Sequence, residues 1–236
     1  MKSETLGIIN GALLTEKQRH YLARRIGGKT FLEWVVRQVT DCELLSNVIV
    51  LASTGPKGDL IRKLTPVDVE VFSSDADSTL AFLLQAQEHF GFKSCISVDS
   101  DWPFIDPILI DKVIQGAKVK TRCDYATFQF MNDIFSSESP YILFPEWYSS
   151  DALLQASHEV ENETHSQFPG TFFLDNHDKY AVEMLPTPEN FHWKSPRHTV
   201  RNEEDWDEVV DLFDALHLDV FDYRKVASLI DNHAKI

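Results

Sequence analysis

The stretch Ser94-Cys95-Ile96-Ser97-Val98-Asp99-Ser100-Asp101-Trp102-Pro103-Phe104-Ile105-Asp106-Pro107-Ile108-Leu109-Ile110-Asp111-Lys112-Val113 decides how the rest of the chain is read. Its apolar run, Cys95, Ile96 and Val98, has the length of a buried strand and stops abruptly at Asp99, Asp101 and Pro103. Asp106-Pro107 then opens an amphipathic helix, with Asp106 as its cap and Pro107 in its first turn. Carboxylates at the carboxyl end of a central strand are where an open α/β sheet binds its ligand. Asp99 and Asp101 alternate along an extended chain, and a turn beginning at Ser100 would bring both toward one ion. Two hard oxygen donors with open positions suit Mg²⁺ or Mn²⁺ carrying substrate phosphates. Asp101 is the better ligand of the two, and Asp106 is mainly a cap.

Outward from this stretch, strands and helices alternate. Residues 5–10 read as a first strand, 11–29 as a long polar and basic loop, and 30–39 as a helix starting at Thr30. Strands are predicted over 47–52, 67–72 and 125–130, and helices over 57–64, 77–89 and 106–118, with Pro66 stopping the first of these helices. Four strand-helix repeats in this order predict a parallel, doubly wound sheet. From residue 136 to 196 the pattern breaks into short pieces between Pro140, Pro145, Trp147, Pro169, Pro186, Trp193 and Pro196. A helix over 150–158 and an extended pair, 170–174 with 180–185, are expected there. The chain is therefore read as one domain, 1–236, in which 136–196 is a β-containing insertion that covers substrate or forms a dimer. Helices over 202–216, with an acidic first turn, and 223–233 complete it.

Composition narrows the partners. The 236 residues carry 22 Lys and Arg against 37 Asp and Glu, a net charge of −15, and no basic stripe offsets it. A nucleic-acid backbone or an anionic membrane is a poor partner for such a chain. An acidic protein binds a nucleotide through a local cationic loop, helped by a divalent metal. The beginning of the sequence has no long apolar segment, and no apolar run approaches the ~18 residues of a membrane span; a cytoplasmic protein is expected. Cys42, Cys95 and Cys123 are scattered and read as buried reduced thiols, and His165, His177, His192 and His198 as surface or hydrogen-bonded residues rather than ligands.

A cationic loop is present. Leu22-Ala23-Arg24-Arg25-Ile26-Gly27-Gly28-Lys29 precedes the first helix, and Gly27 and Gly28 at a helix start would let backbone N–H groups approach an anion while Arg25 and Lys29 favour a triphosphate. It follows the first strand and so shares a rim with Asp101.

Together these elements resemble the cytidylyltransferase-like family that includes spore coat polysaccharide biosynthesis protein F and the synthetases of CMP-activated Kdo and sialic-type sugars. The family's Ser-X-Arg-Leu-Pro-Gly-Lys is met by Ala23 to Lys29, with Arg25, Gly28 and Lys29 matching. Its Gly-Asp-X-Pro-X-X-Asp-Pro is met by Ser100 to Pro107 with only the glycine replaced, and Leu109 to Ile114, Asp124-Tyr125 and Arg197 to Trp206 are similar too. The resemblance implies a three-layer α/β/α nucleotide-diphospho-sugar transferase fold, related to GT-A and Rossmann-like sheets. It also implies a homodimer and transfer of CMP from CTP to a Kdo- or sialic-type sugar with release of pyrophosphate. Lys29 and Arg25 would then hold phosphates, with Gly27 and Gly28 in the same loop, and Asp101 would act through Mg²⁺ or Mn²⁺; with the family's second acid replaced, either Asp99 supplies the missing ligand or the metal is lost.

The chain departs from the family at three places. Arg201 stands where the family has a second metal-binding acid, residues 11–21 lengthen the loop, and Phe82 replaces a family arginine. Two rival readings follow: a metal-dependent glycosyltransferase using Asp99-Ser100-Asp101 as an Asp-X-Asp signature, and a non-catalytic descendant that binds a sugar nucleotide or a partner enzyme.

Overall fold

Burial on both faces sets the central strands, and side-chain caps set where most of the helices begin. The computed structural model describes residues 5–129, 144–187, 200, 202–216 and 224. Its first half runs β1 (Thr5–Asn10), α1 (Glu16–Ala23), β2 (Arg25–Ile26), β3 (Lys29–Thr30), α2 (Phe31–Thr40), β4 (Asn47–Ser53), α3 (Pro56–Leu64), β5 (Glu70–Ser74), α4 (Thr79–Phe90) and β6 (Ser94–Asp99). Then follow α5 (Pro107–Lys118), β7 (Tyr125–Gln129), β8 (Glu146–Ser149), α6 (Ser150–Ser157), α7 (Glu163–Gln167), α8 (Pro169–Asp175), β9 (Val182–Pro186) and α9 (Glu203–Ala215). Thr30 caps α2 by accepting the Glu33 N–H, Ser78 caps α4 through Ala81, and Asp106 caps α5 through the Ile108 N–H at 2.7 Å.

Among the described residues one sheet has the strand order β5-β4-β1-β6-β8-β7-β9. β5, β4, β1 and β6 are mutually parallel, and the β1–β6 register sets Asn10 beside Asp99 at the carboxyl rim. Side chains alternate between two cores. One, with Ile9, Ile96, Val98 and Ala126 from the sheet, is covered by α1, α2, α5 and α9. The other, with Ile8, Cys95, Tyr125 and Tyr148, is covered by α4, α6 and α8. This is the expected three-layer α/β/α arrangement.

The structure corrects four sequence expectations. The sheet is mixed: β8 runs antiparallel between β6 and β7, which β9 joins in parallel. The expected loop 11–29 holds α1 and the hairpin β2–β3; the polar run Glu16 to His20 conceals the helix, which buries only Tyr21 and Leu22. The third strand starts at Glu70 rather than Val67, because residues 66–69 close a turn, Val69 N to Pro66 O at 3.0 Å, that leaves Val67 fully exposed. Residues 170–174 lie in α8, not in an extended pair with 180–185, since stacking Phe173 on Tyr125 and packing it on Tyr180 outweighs the β-propensity of the aromatics. Of the expected insertion, 144–187 supplies β8 and β9 to the main sheet, while 136–143 and 188–196 lie outside the described residues, as does the helix expected over 223–233 apart from residue 224. Phe82 is fully buried in the α4 side core, a position without room for a solvated cation.

Asp106→Ala removes the acceptor that closes the buried start of α5, and should cost about 1 kcal/mol of stability. Urea unfolding should show a lower midpoint at unchanged slope; an unchanged midpoint would show that the cap contributes nothing.

Candidate active site

Asp99 ends β6 and is the first residue of that strand to be exposed; the five before it are buried. Trp102 N donates to Asp99 O and Ser100 N to Asn10 O at 3.3 Å, so the chain turns tightly and leaves Ser100 and Asp101 buried. The structure therefore brings Asp99 and Asp101 together as the sequence suggested. The protein packed around the strand end pushes the Asp99 carboxyl up, and the charges of Asp101 and Glu146 push it further. Because Asp99 opens to solvent, water weakens the first effect, and the like-charge contact is what a bound cation would relieve.

Among the described residues no group of three or more His, Cys, Asp and Glu is arranged to hold a metal. Two carboxylates with the remaining positions left to water and phosphate fit Mg²⁺ or Mn²⁺ arriving with a nucleotide, since such ions keep few protein ligands. Arg201, the third position in question, lies outside the described residues.

Gln18 was not singled out in the sequence, and its geometry is specific. Thr15 and Gln18 form a capping box at the start of α1: Gln18 Oε1 accepts from the Thr15 N–H at 3.0 Å. That bond turns the amide so that Nε2 donates to Asp101 Oδ2 at 3.3 Å. The signal was present as Thr15-Glu16-Lys17-Gln18, the Thr-x-x-Gln pattern of a helix start.

Arg25, Gly27, Gly28 and Lys29 are brought together differently from the expected loop. They form a hairpin in which Arg25 pairs with Thr30 and Ile26 with Lys29, while Gly27 and Gly28 at φ 55° and 88° make the two-residue turn that requires positive φ. A side chain at Gly28 would meet nothing within 4 Å, so the tip is open. The start of α2 is closed by Thr30 and by Phe31 N donating to Arg24 O at 2.9 Å, so the glycines do not sit at a free helix N-terminus. Lys29 Nζ lies 4.2 Å over the Trp34 ring, Arg25 donates to Gly28 O, and Trp34 Nε1 donates to Ile26 O.

Glu146 is the second residue the sequence did not mark. It opens β8 opposite Ser97, and its Oε1 accepts from the Tyr125 hydroxyl at 2.7 Å. Burial pushes its carboxyl up to about 7, against the pull of the Tyr125 and Tyr148 hydroxyls. A concavity of about 290 Å³ bounded by Leu6, Phe90, Phe92 and Lys93 lies at the opposite, amino end of the strands, away from all these carboxylates.

The cytidylyltransferase family model matches residues 23–226. Spore coat polysaccharide biosynthesis protein SpsF of Bacillus subtilis (strain 168) is 22% identical over 217 residues, 89% of this chain and 87% of that protein. A cytidylyltransferase from Leptospira borgpetersenii serovar Hardjo-bovis (strain JB197) has the same fold, with a TM-score of 0.80 at 17% identity over 100% of this chain and 96% of that one. CMP:2-keto-3-deoxy-manno-octonic acid synthetase, solved with CTP, follows at a TM-score of 0.67 and 12% identity over 89% and 98%.

The Glu146 carboxyl titrates near 4.5 when unfolded and near 7 when folded. Between these values the folded state holds the extra proton, so its contribution to stability is full below about pH 4.5 and is lost as pH rises through about 7. Glu146→Gln stays neutral and should become more stable than the parent above about pH 7, by on the order of 1 kcal/mol after allowing for solvent contact. Urea midpoints of both chains at about pH 4.5, 6 and 8 check this; a difference that stays constant with pH would mean that Glu146 titrates alike in both states.

Proposed function

The chain belongs to the cytidylyltransferase family, and from that premise we propose that it transfers CMP from CTP to a sugar, releasing pyrophosphate, in surface polysaccharide biosynthesis. The Gln18–Asp101 hydrogen bond carries this reading, because it fastens the segment leading into the cationic hairpin to the acidic strand end. Arg25 and Lys29 take the triphosphate, and the side-chain-free Gly27-Gly28 tip lets backbone and phosphate approach closely. Asp101 and Asp99 hold the Mg²⁺ or Mn²⁺ that neutralises phosphate charge when bound. Gln18 keeps the Asp101 carboxylate oriented.

An acceptor oxygen attacks the α-phosphorus of CTP, the new O–P bond forms as the bond to the bridging oxygen breaks, and pyrophosphate leaves while the acceptor's proton passes to solvent. The protein's task is to position reactants and stabilise charge. The likeness to SpsF supports the polysaccharide setting. A homodimer and a cytoplasmic location belong to the same proposal. Among the described residues, no helix is long and apolar enough to cross a membrane.

Thermal unfolding with CTP, UTP, ATP or GTP, each with Mg²⁺ or EDTA, tests the reading. CTP with Mg²⁺ at about a hundredfold its Kd should stabilise the chain by about 2.7 kcal/mol, a rise of a few degrees. Asp101→Asn should remove the metal-dependent part while its Tm without ligand stays at or above the parent's, since it also relieves the repulsion of Asp99. Equal shifts by all four nucleotides, or with EDTA, would refute it.

A further inference from the structure

Resting on the metal-dependent reading above, the geometry points to Gln18 as the residue that selects the ion. It favours Mg²⁺ or Mn²⁺ over Ca²⁺ by opposing the use of both Asp101 carboxylate oxygens by one ion. The residues that lengthen the chain ahead of the hairpin supply it, since the first turn of α1 brings Gln18 to the acidic strand end.

The amide is oriented by its own helix start. Gln18 Oε1 accepts from the Thr15 N–H at 3.0 Å and from the Thr15 hydroxyl at 2.8 Å, while the Gln18 N–H donates to that hydroxyl oxygen at 3.2 Å. With Oε1 so engaged, Nε2 faces Asp101 and donates to Oδ2 at 3.3 Å. The other end of α1 is fixed by the buried Leu22 and by Tyr21, whose ring stacks on Trp206 with centroids 6.2 Å apart. Asp101 is constrained as well: the bonds from Ser100 N to Asn10 O and from Trp102 N to Asp99 O hold the turn that carries it, and the residue is buried. Donor and acceptor therefore meet as two fixed groups.

Divalent ions differ in what they ask of a carboxylate. Ca²⁺ gathers about six to eight oxygens and readily takes a carboxylate through both, whereas Mg²⁺ holds to an octahedron and keeps several waters. Mn²⁺ shares the octahedral preference. An ion seated across both Asp101 oxygens would compete with the Gln18 amide for Oδ2. An ion that takes one oxygen leaves that bond in place, and a hydrogen bond to a ligating carboxylate orients it and strengthens binding. A neutral amide does this without cancelling the charge that attracts the ion. One contact thus supports the octahedral ion and opposes the larger one.

The test titrates the full chain by calorimetry with CTP whose α,β-bridging oxygen is replaced by methylene, so that nothing turns over, in saturating Mg²⁺, Mn²⁺ or Ca²⁺ or in EDTA. The parent should bind the analogue about tenfold or more tightly with Mg²⁺ or Mn²⁺ than with Ca²⁺. Gln18→Leu removes the donor, and should bring the Mg²⁺-to-Ca²⁺ affinity ratio toward one by weakening binding with Mg²⁺ about tenfold. Gln18→Glu keeps the capping box, in which glutamate serves as well, but replaces the donor by a further oxygen ligand. It should lower the same ratio by tightening binding with Ca²⁺. Were Gln18 needed only to fold α1, Gln18→Glu would keep the parent's ratio and Gln18→Leu would weaken binding with every ion alike; either result overturns the inference, as does a parent that binds equally well with Mg²⁺ and Ca²⁺. Affinity in EDTA equal to that in Mg²⁺ would overturn this inference together with the metal-dependent reading, whereas metal-dependent affinity whose ratio ignores both substitutions overturns this inference alone.

Discussion

The repulsion between Asp99 and Asp101 at the end of β6 is the constraint around which the site is built. A run of buried residues from Ser94 to Val98 forces β6 into the middle of the sheet, paired with β1 on one side and β8 on the other. Asp99 is the first side chain of the strand to reach solvent, and the tight turn after it leaves Asp101 buried close behind. Such a like-charge arrangement lowers the stability of the free protein. Gln18 moderates the cost at Asp101 by offering a neutral amide donor.

The hairpin needs its own anchor, because its tip is two glycines with positive φ. Arg24, immediately before it, supplies one. The guanidinium lies 4.4 Å over Trp206 and 5.5 Å over Tyr21, and it pairs with Glu203 at 2.6 Å. The ion pair is largely solvated and adds little alone. The stacked Tyr21 and Trp206 rings, with Phe31 against the latter, give the contact its strength and bind the start of α9 to α1 and α2. The start of α9 thus meets the residue leading into the hairpin through packing.

The reversal of β8 has a direct consequence for chemistry. In a parallel strand only the last residues reach the carboxyl rim, whereas an antiparallel strand presents its first. Glu146 is the first residue of β8, so the reversal delivers it beside Ser97 and near Asp99. The other end of β8 is spent on structure: Ser149 caps α6, and its N–H bonds to Asp124 O, while the Asp124 side chain holds the Ala181 N–H of the run into β9 at 2.8 Å.

Local physics was enough to read the alternation of strands and helices from residue 30 to 129, the caps at Thr30 and Asp106, and the Asp99–Asp101 pair, because apolar periodicity and capping chemistry act over a few residues. The family resemblance also lay in short contiguous motifs, around Arg25 to Lys29 and Ser100 to Pro107. What the sequence concealed depends on distant partners. α1 is polar on most of its surface and stands out only through its capping box and through Tyr21 and Leu22, which need α9 and α2 to be buried against. The residues 170–174 become helix because Tyr125 and Tyr180 receive their rings. The direction of β8, and with it the meeting of Glu146 and Tyr125, is set by which strand edges remain free once β6 and β7 are placed; no window of sequence contains that information, so only the tertiary structure decided it.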